Sequence, residues 1–245
     1  MNPDIKYKLQ EDQYVVEGGY HRERLLQQNA LGIESRGKLM LTADVIQRFN
    51  PRVVLDLGCG EGVLMEELSA RGVSSVGIDL SEKATSLMSS SLRKNTIVGD
   101  IARLPIESGT VPMATMIAVL EHIPPDTIFQ VIQEIHRTLE KDGIFVVRVP
   151  SRHQPIRDKH FQHFTPDSLK QTLEQSGLFT VEEMIGNHNT AIDWEELYET
   201  IKNGSTNDSM LPSEINERAE RVYNVELKVC DPLNAKRLLS VCRKN

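Results

Sequence analysis

Val53-Val54-Leu55-Asp56-Leu57-Gly58-Cys59-Gly60-Glu61-Gly62 decides the architecture of this 245-residue chain. Residues 53–57 are apolar but for Asp56, and glycine then takes every second position at 58, 60 and 62. An apolar run that breaks into glycines is the pattern of a buried parallel strand turning into a helix. Glycine lets the backbone turn sharply and lets a ligand lie against bare peptide. A helix starting just beyond would point its free N–H groups at that ligand. The spacing departs from the dinucleotide fingerprint G-x-G-x-x-G, because the third glycine comes one residue early and Val63 stands in its place. An ordinary tight strand-to-helix turn is the plain alternative.

Strands and helices alternate on either side of this loop. Upstream, Leu39, Leu41, Val45, Ile46 and Phe49 follow helical spacing until Pro51 stops the helix. Downstream, a helix from Val63 ends near Gly72, and Ser75–Leu80 reads as a second strand. Ser81 is placed to cap the next helix. Thr96–Val98, Ala114–Leu120 and Ile144–Val149 read as further strands. Between the last two, Ile128, Val131, Ile132, Ile135 and Leu139 give one apolar helix face that Gly143 closes. Thr165-Pro166 is a helix start, with a capping hydroxyl before proline at the first helical position, and Gly177 is its stop. Phe179–Ile185 and Arg237–Cys242 complete the set.

The expected fold is α/β: a Rossmann-like, seven-stranded, mostly parallel sheet with helices on both faces. Residues 1–50 form an N-terminal helical cap, 51–185 the core, 186–232 an insertion, and 233–245 the last strand. The insertion holds the single tryptophan, Trp194, and the polar run Asn203-Gly204-Ser205-Thr206-Asn207-Asp208-Ser209. It is expected either as a lid over the site or as a surface decoration.

Composition narrows the classes. Apolar content of 39% and charged content of 26% suit a globular chain, and no stretch is long and apolar enough to span a membrane. Cys59, Cys230 and Cys242 are odd in number and lack metal-type spacing. With a start, Met1-Asn2-Pro3-Asp4, that opens no signal peptide, this points to a cytoplasmic setting. A net charge of −7 argues against a broad nucleic-acid footprint.

In an open parallel sheet a ligand sits beyond the carboxyl ends of the strands. Those ends carry the Gly58–Gly62 loop, Asp79, Asp100-Ile101, and Leu120-Glu121-His122. Asp79 falls nineteen residues past Gly60, where an acid can accept from both ribose hydroxyls. Strand, acid and G-x-G-x-G together resemble the first motif of the class I S-adenosylmethionine-dependent methyltransferases, over about residues 50–185. That resemblance implies S-adenosylmethionine as cofactor. Gly58 and Gly60 would lie against its methionine part and Asp79 would bind its ribose, with Asp56 and Cys59 also among the cofactor-binding residues. Asp100 would hold the adenine amino group, with Leu80 and Ile101 on the ring. Ala118 and Val119 would flank the sulfonium. Carboxylates here suit a cation and would repel a pyrophosphate. No Walker-type Lys-Ser/Thr follows the glycines.

Methyl transfer needs alignment, exclusion of water and, for a hydroxyl acceptor, a base. Two clusters qualify: Glu121-His122, and His153 with Lys159-His160-Phe161-Gln162-His163-Phe164. His122, His160 and His163 are the candidate bases, with Glu121 beside them; anchoring the loop is the alternative role for His163. Small-RNA terminal-ribose methyltransferases and ubiquinone-pathway O-methyltransferases are similar here, with a metal-binding Glu-x-x-Glu-His group. By that resemblance Glu121, His122 and His160 are the candidate ligands of a divalent ion. Ala118 replaces the first glutamate, which speaks against an ion. Tyr20, His21, Arg22 and Arg24, within Tyr14–Arg24, are expected to close over the cofactor or to form a solvated face. The resemblance implies a small-molecule acceptor such as a sugar, quinone precursor or natural-product intermediate, methylated on oxygen before nitrogen. An RNA terminal-ribose methyltransferase and a non-catalytic cofactor-binding partner protein are the alternatives.

Overall fold

The computed structural model describes residues 3–17, 20–175, 177–203 and 212–245. Among them three N-terminal helices, α1 (Pro3–Glu17), α2 (Tyr20–Leu26) and α3 (Ala30–Gln47), precede the sheet. The core then runs β1 (Val54–Leu57), α4 (Val63–Ala70), β2 (Ser75–Asp79), α5 (Glu82–Ser86), α6 (Ser90–Arg93), β3 (Thr96–Val98) and β4 (Val111–Ile117). It continues through α7 (Ile128–Thr138), β5 (Leu139–Pro150), α8 (Pro166–Glu174) and β6 (Phe179–Asn189). After α9 (Trp194–Asn203) and α10 (Pro212–Glu226), β7 (Ala235–Lys244) closes the sheet.

The strand order is β3-β2-β1-β4-β5-β7-β6, so the expected seven-stranded, mostly parallel sheet is present. The first five strands are parallel, and β7 pairs antiparallel with both β5 and β6. All four residues of β1 are buried, as befits the middle of a sheet covered on both faces. Alternation divides the core. Val54, Met113, Ile144 and Val146 meet Leu41, Val45 and Ile46 of α3 and Leu64 and Leu68 of α4. Leu55, Leu57, Phe145 and Val147 meet Ile128, Val131, Ile132 and Ile135 of α7 with Leu169 and Leu173 of α8.

Local signals held where the chain satisfies its own backbone. Ser81 accepts from Ala84 N at 3.0 Å. Thr165 and Ser168 form a reciprocal capping box ahead of Pro166. Strand ends differ where only pairing decides them. The fourth strand is Val111–Ile117 and not Ala114–Leu120, because Ala118 turns to φ 59° and Leu120–His122 coil into a 3-10 turn. The helix before β5 ends at Thr138, and Gly143 lies inside the strand.

Residues 186–232 carry the end of β6, then α9 and α10. Trp194, Tyr198, Tyr223 and Leu227 pack with Ala30 and Ile33 of α3, and Trp194 Nε1 donates to Ala30 O at 2.8 Å. The Gly204–Ser209 part of the polar run lies outside the described residues. No described helix is long and apolar enough to cross a membrane.

Candidate functional site

The sheet order reverses between β1 and β4, which leave through connections of opposite direction and open a crevice above their carboxyl ends. A cavity of about 460 Å³ fills it, a size suited to a small ligand.

One end is the glycine loop. Gly58, Gly60 and Gly62 all take left-handed φ values, 71°, 53° and 76°. A Cβ on Gly58 would lie 2.3 Å from Val119 Cγ2, so bare backbone is required there. Asp79 holds the loop in place: its Oδ2 accepts from Gly60 N at 2.7 Å and its Oδ1 from Ser81 N at 2.8 Å. A carboxylate has about four acceptor directions, so Asp79 keeps capacity toward the cavity. Burial raises its pKa, against the two N–H bonds that favour its charge. Asp56 is deeper, accepting from Thr115 Oγ1 at 2.8 Å, and burial pushes it up to about 7. Burial also pushes the Cys59 thiol up, so it is not a reactive thiolate. Leu80, Asp100, Ile101, Ala118 and Val119 border the same cavity. Ala118 sits in a strained left-handed conformation at the junction of the two ends.

The N-terminal helices roof this end. Tyr7, Glu11 and Tyr14 of α1 line the cavity, and Tyr14 Oη lies 3.1 Å from where a Gly60 Cβ would stand. Lys6 Nζ donates to the carbonyls of Asp158, at 2.9 Å, and His160. Helix α1 therefore bridges from the glycine loop to the histidine loop. Glu61 anchors α2: its carboxylate is 1% exposed and accepts from His21 N at 3.1 Å and Arg22 N at 3.2 Å.

The other end holds the titratable cluster. Ligand-capable atoms of Glu121, His122 and His160 lie within 4.8 Å of one another. His122 Nδ1 is 3.2 Å from Lys159 O, and His163 Nδ1 is 3.0 Å from Gln154 O. A carbonyl only accepts, so both Nδ1 atoms carry the proton. His163 Nε2 is then an acceptor, and His160 Nδ1, 2.7 Å away, donates to it. Nε2 of His122 and of His160 is thereby left as a bare lone pair. Burial lowers both His122 and His160 to about 3, so both stay neutral. Glu121 is 2% exposed, its Oε2 has no partner, and burial pushes it up to about 7. Phe161 N donates to Glu121 O at 2.8 Å, joining the histidine loop to the 3-10 turn.

The structure thus brings Glu121, His122, His160 and His163 to one end and all ten expected cofactor residues to the other. His153 stays outside the cavity lining, its Nε2 2.9 Å from Leu233 O, because the turn after β5 directs it outward. Of the Tyr14–Arg24 group, Tyr14, His21 and Arg24 reach the cavity, whereas Arg22 pairs with Glu66 at 2.8 Å. The side chain of Tyr20 lies outside the described residues. None of the described residues of 186–232 lines the cavity, so the roof is α1 and α2 and the lid expected of the insertion has no support there. Glu61, Lys38, Thr42, Arg148 and Arg237 were not expected in the site. Glu61 had one legible signal, an acid inside a glycine loop that must find donors once buried.

Residues 55–147 match the family described as a methyltransferase domain. The chain is 31% identical over 106 residues to the ubiquinone biosynthesis O-methyltransferase of Nitrosomonas europaea, covering 41% of this chain and 44% of that protein. It is 27% identical over 149 residues to a "probable S-adenosylmethionine-dependent methyltransferase" of Mycobacterium tuberculosis, covering 56% and 54%. The chain therefore spans about half the length of these curated relatives. The fold resembles the 1,6-didemethyltoxoflavin-N1-methyltransferase of Burkholderia thailandensis with a TM-score of 0.61 at 17% identity, covering 100% of this chain and 91% of that one.

Proposed function

We propose that this chain, whose residues 55–147 are a class I methyltransferase domain, transfers a methyl group from S-adenosylmethionine to an oxygen of a small molecule. The observation that carries the proposal is a single cavity with a bare-backbone, carboxylate-rich end and a neutral imidazole–carboxyl end. The residues fit the donor. Its hydroxyls match the spare acceptor capacity of Asp79, and its positive charge suits a loop bordered by Asp56 and Asp79. Gly58 and Gly60 border the cavity as side-chain-free backbone, Gly58 packed on Val119 and Gly60 facing Tyr14 Oη. S-adenosylmethionine supplies a methyl group already activated on a sulfonium.

The chain's own residues do the rest. Asp79 and the glycine loop bind and orient, and Asp100 and Ile101 border the same end. Helices α1 and α2 cover the site and keep water out. The acceptor proton goes to the end of the cavity lined by Glu121, His122 and His160. The imidazole lone pairs meet the hydroxyl, and the carboxylate of Glu121, raised to about 7, is the group tuned to accept at neutral pH.

Calorimetry with S-adenosylmethionine tests the donor site. Asp79→Ala removes both the hydroxyl acceptor and the tie to Gly60 N, and is expected to weaken binding by about a hundredfold or more. Unchanged affinity would remove Asp79 from the site.

The same lone pairs are the donor set a divalent ion would use, through Glu121, His122 and His160. Proton transfer and metal ligation exclude each other at one lone pair. Turnover is expected to survive exhaustive dialysis against EDTA. Activity lost to the chelator and restored by Mg²⁺ or Zn²⁺ would reassign the cluster to an ion.

A further inference from the structure

The cavity is polarised along its length. Glu11, Asp56, Glu61, Asp79 and Asp100 line it at the glycine-loop end. Its lining cations, Arg24, Lys38, Arg148, Arg157, Lys159 and Arg237, come from α2, α3, β5, β7 and the histidine loop.

Three of them are decisive. Lys38 Nζ and Arg237 Nη1 share one carboxylate oxygen, Glu34 Oε1, at 3.2 and 2.6 Å. Arg148 has no carboxylate partner among the described residues. Its Nη1 donates to two neutral acceptors, Lys38 O at 2.7 Å and Thr42 Oγ1 at 2.6 Å. Among the described residues that leaves its Nε and Nη2 donors without an acceptor. By direct contact these three cations are met by one carboxylate, Glu34, and Glu121 is the next acid their charge reaches. Burial, with Arg237 adding to it, lowers Lys38 to about 7 and Arg148 to about 10. Desolvated charge of one sign is costly unless something of the other sign meets it.

We propose that the methyl acceptor is a small organic anion whose carboxylate or phosphate sits against Arg148, Lys38 and Arg237. The free Nε/Nη2 edge of Arg148 matches an oxyanion with two parallel bonds. An anion held there shares the cavity with Glu121, His122 and His160, and Arg148 is the cation whose charge acts most on Glu121. The cations lie inside a cavity roofed by α1 and α2, not along an outer track, which suits a small molecule and not a nucleic-acid backbone. The inference rests on the methyltransferase assignment for the word acceptor; the anion site itself does not.

The test measures thermal stability in sodium phosphate and in sodium acetate, each matched in ionic strength by sodium chloride, with and without S-adenosylhomocysteine. A saturable rise in Tm of about 5–10 °C is expected at about a hundredfold excess over Kd with one of the two anions. The anion giving the larger rise identifies the group. The rise should vanish in Arg148→Met and Lys38→Met and persist in Asp79→Ala. Lys38→Met removes a surplus cation, so it should fold and melt no lower than the wild type without added anion; it decides the matter if Arg148→Met does not fold. Equal Tm in all three salts overturns the inference, as does a rise that survives both substitutions. Absence of any response to S-adenosylhomocysteine would instead strike the donor site, leaving the anion result to stand or fall alone.

Discussion

Glu121→Gln is expected to lower turnover by about two to four orders of magnitude while making the protein more stable at pH 8. The carboxyl is 2% exposed, and its Oε2 meets no donor. Burial holds its folded pKa near 7, above the ordinary 4.5. The sign follows from linkage. A raised folded pKa contributes stability that is full below about pH 4.5 and is lost as pH rises through about 7. At pH 8 the wild type therefore carries an ionised, buried group with one unpartnered oxygen that costs about 3 kcal/mol, and an uncharged amide of the same shape does not. Activity has the opposite sign. The ionised form accepts the proton, so kcat/KM in the wild type should climb through about pH 7 to a plateau. The variant should lack that limb. Denaturant titrations at pH 6 and pH 8 and a pH–rate profile give both halves. An unchanged acid limb in Glu121→Gln would exclude Glu121 as the titrating group.

Gly58→Ala is the second large effect. The new Cβ would stand 2.3 Å from Val119 Cγ2, 3.1 Å from Cγ1 and 3.3 Å from Cβ of the same residue. Residue 58 also holds φ at 71°, which costs an L-residue roughly 1–2 kcal/mol. The loop must shift, and with it Gly60 N, whose 2.7 Å bond to Asp79 sets the floor of the donor site. Affinity for S-adenosylhomocysteine is expected to fall about a hundredfold or more, with a loss of stability of about 2–4 kcal/mol. The double variant Gly58→Ala/Val119→Ala separates the causes. It removes the clash and keeps the strained φ, so it should recover part of the affinity and not all. Full affinity in the single variant would mean that no ligand lies against this loop.

Much of this was legible from residues 53–62 outward. The strand, the glycines, Asp79 nineteen positions beyond Gly60 and Asp100 are local in pattern, because each strand end must deliver its polar group within one or two residues of the last buried position. Glu121-His122 and the His160–His163 segment stood out as polar groups gathered at strand ends. His153 shows the limit of that logic: its neighbours in sequence enter the cavity, yet its own ring turns to Leu233 O. The fourth strand shows another, since the left-handed Ala118 ends it before the apolar run does.

The sequence by itself determined the sheet, the glycine loop and the donor-side carboxylates, because periodicity, glycine and capping are short-range constraints that act within a few residues. Only the tertiary structure decided the roof and the acceptor end. Tyr14 reaches Gly60 from a helix that begins at Pro3, Glu61 reaches back to cap α2, and Lys38, Arg148 and Arg237 meet from α3, β5 and β7. Lys38, Arg148 and Arg237 look in sequence like ordinary surface charges. They acquire meaning when distant elements pack and burial sets the strength of every charge by what faces it.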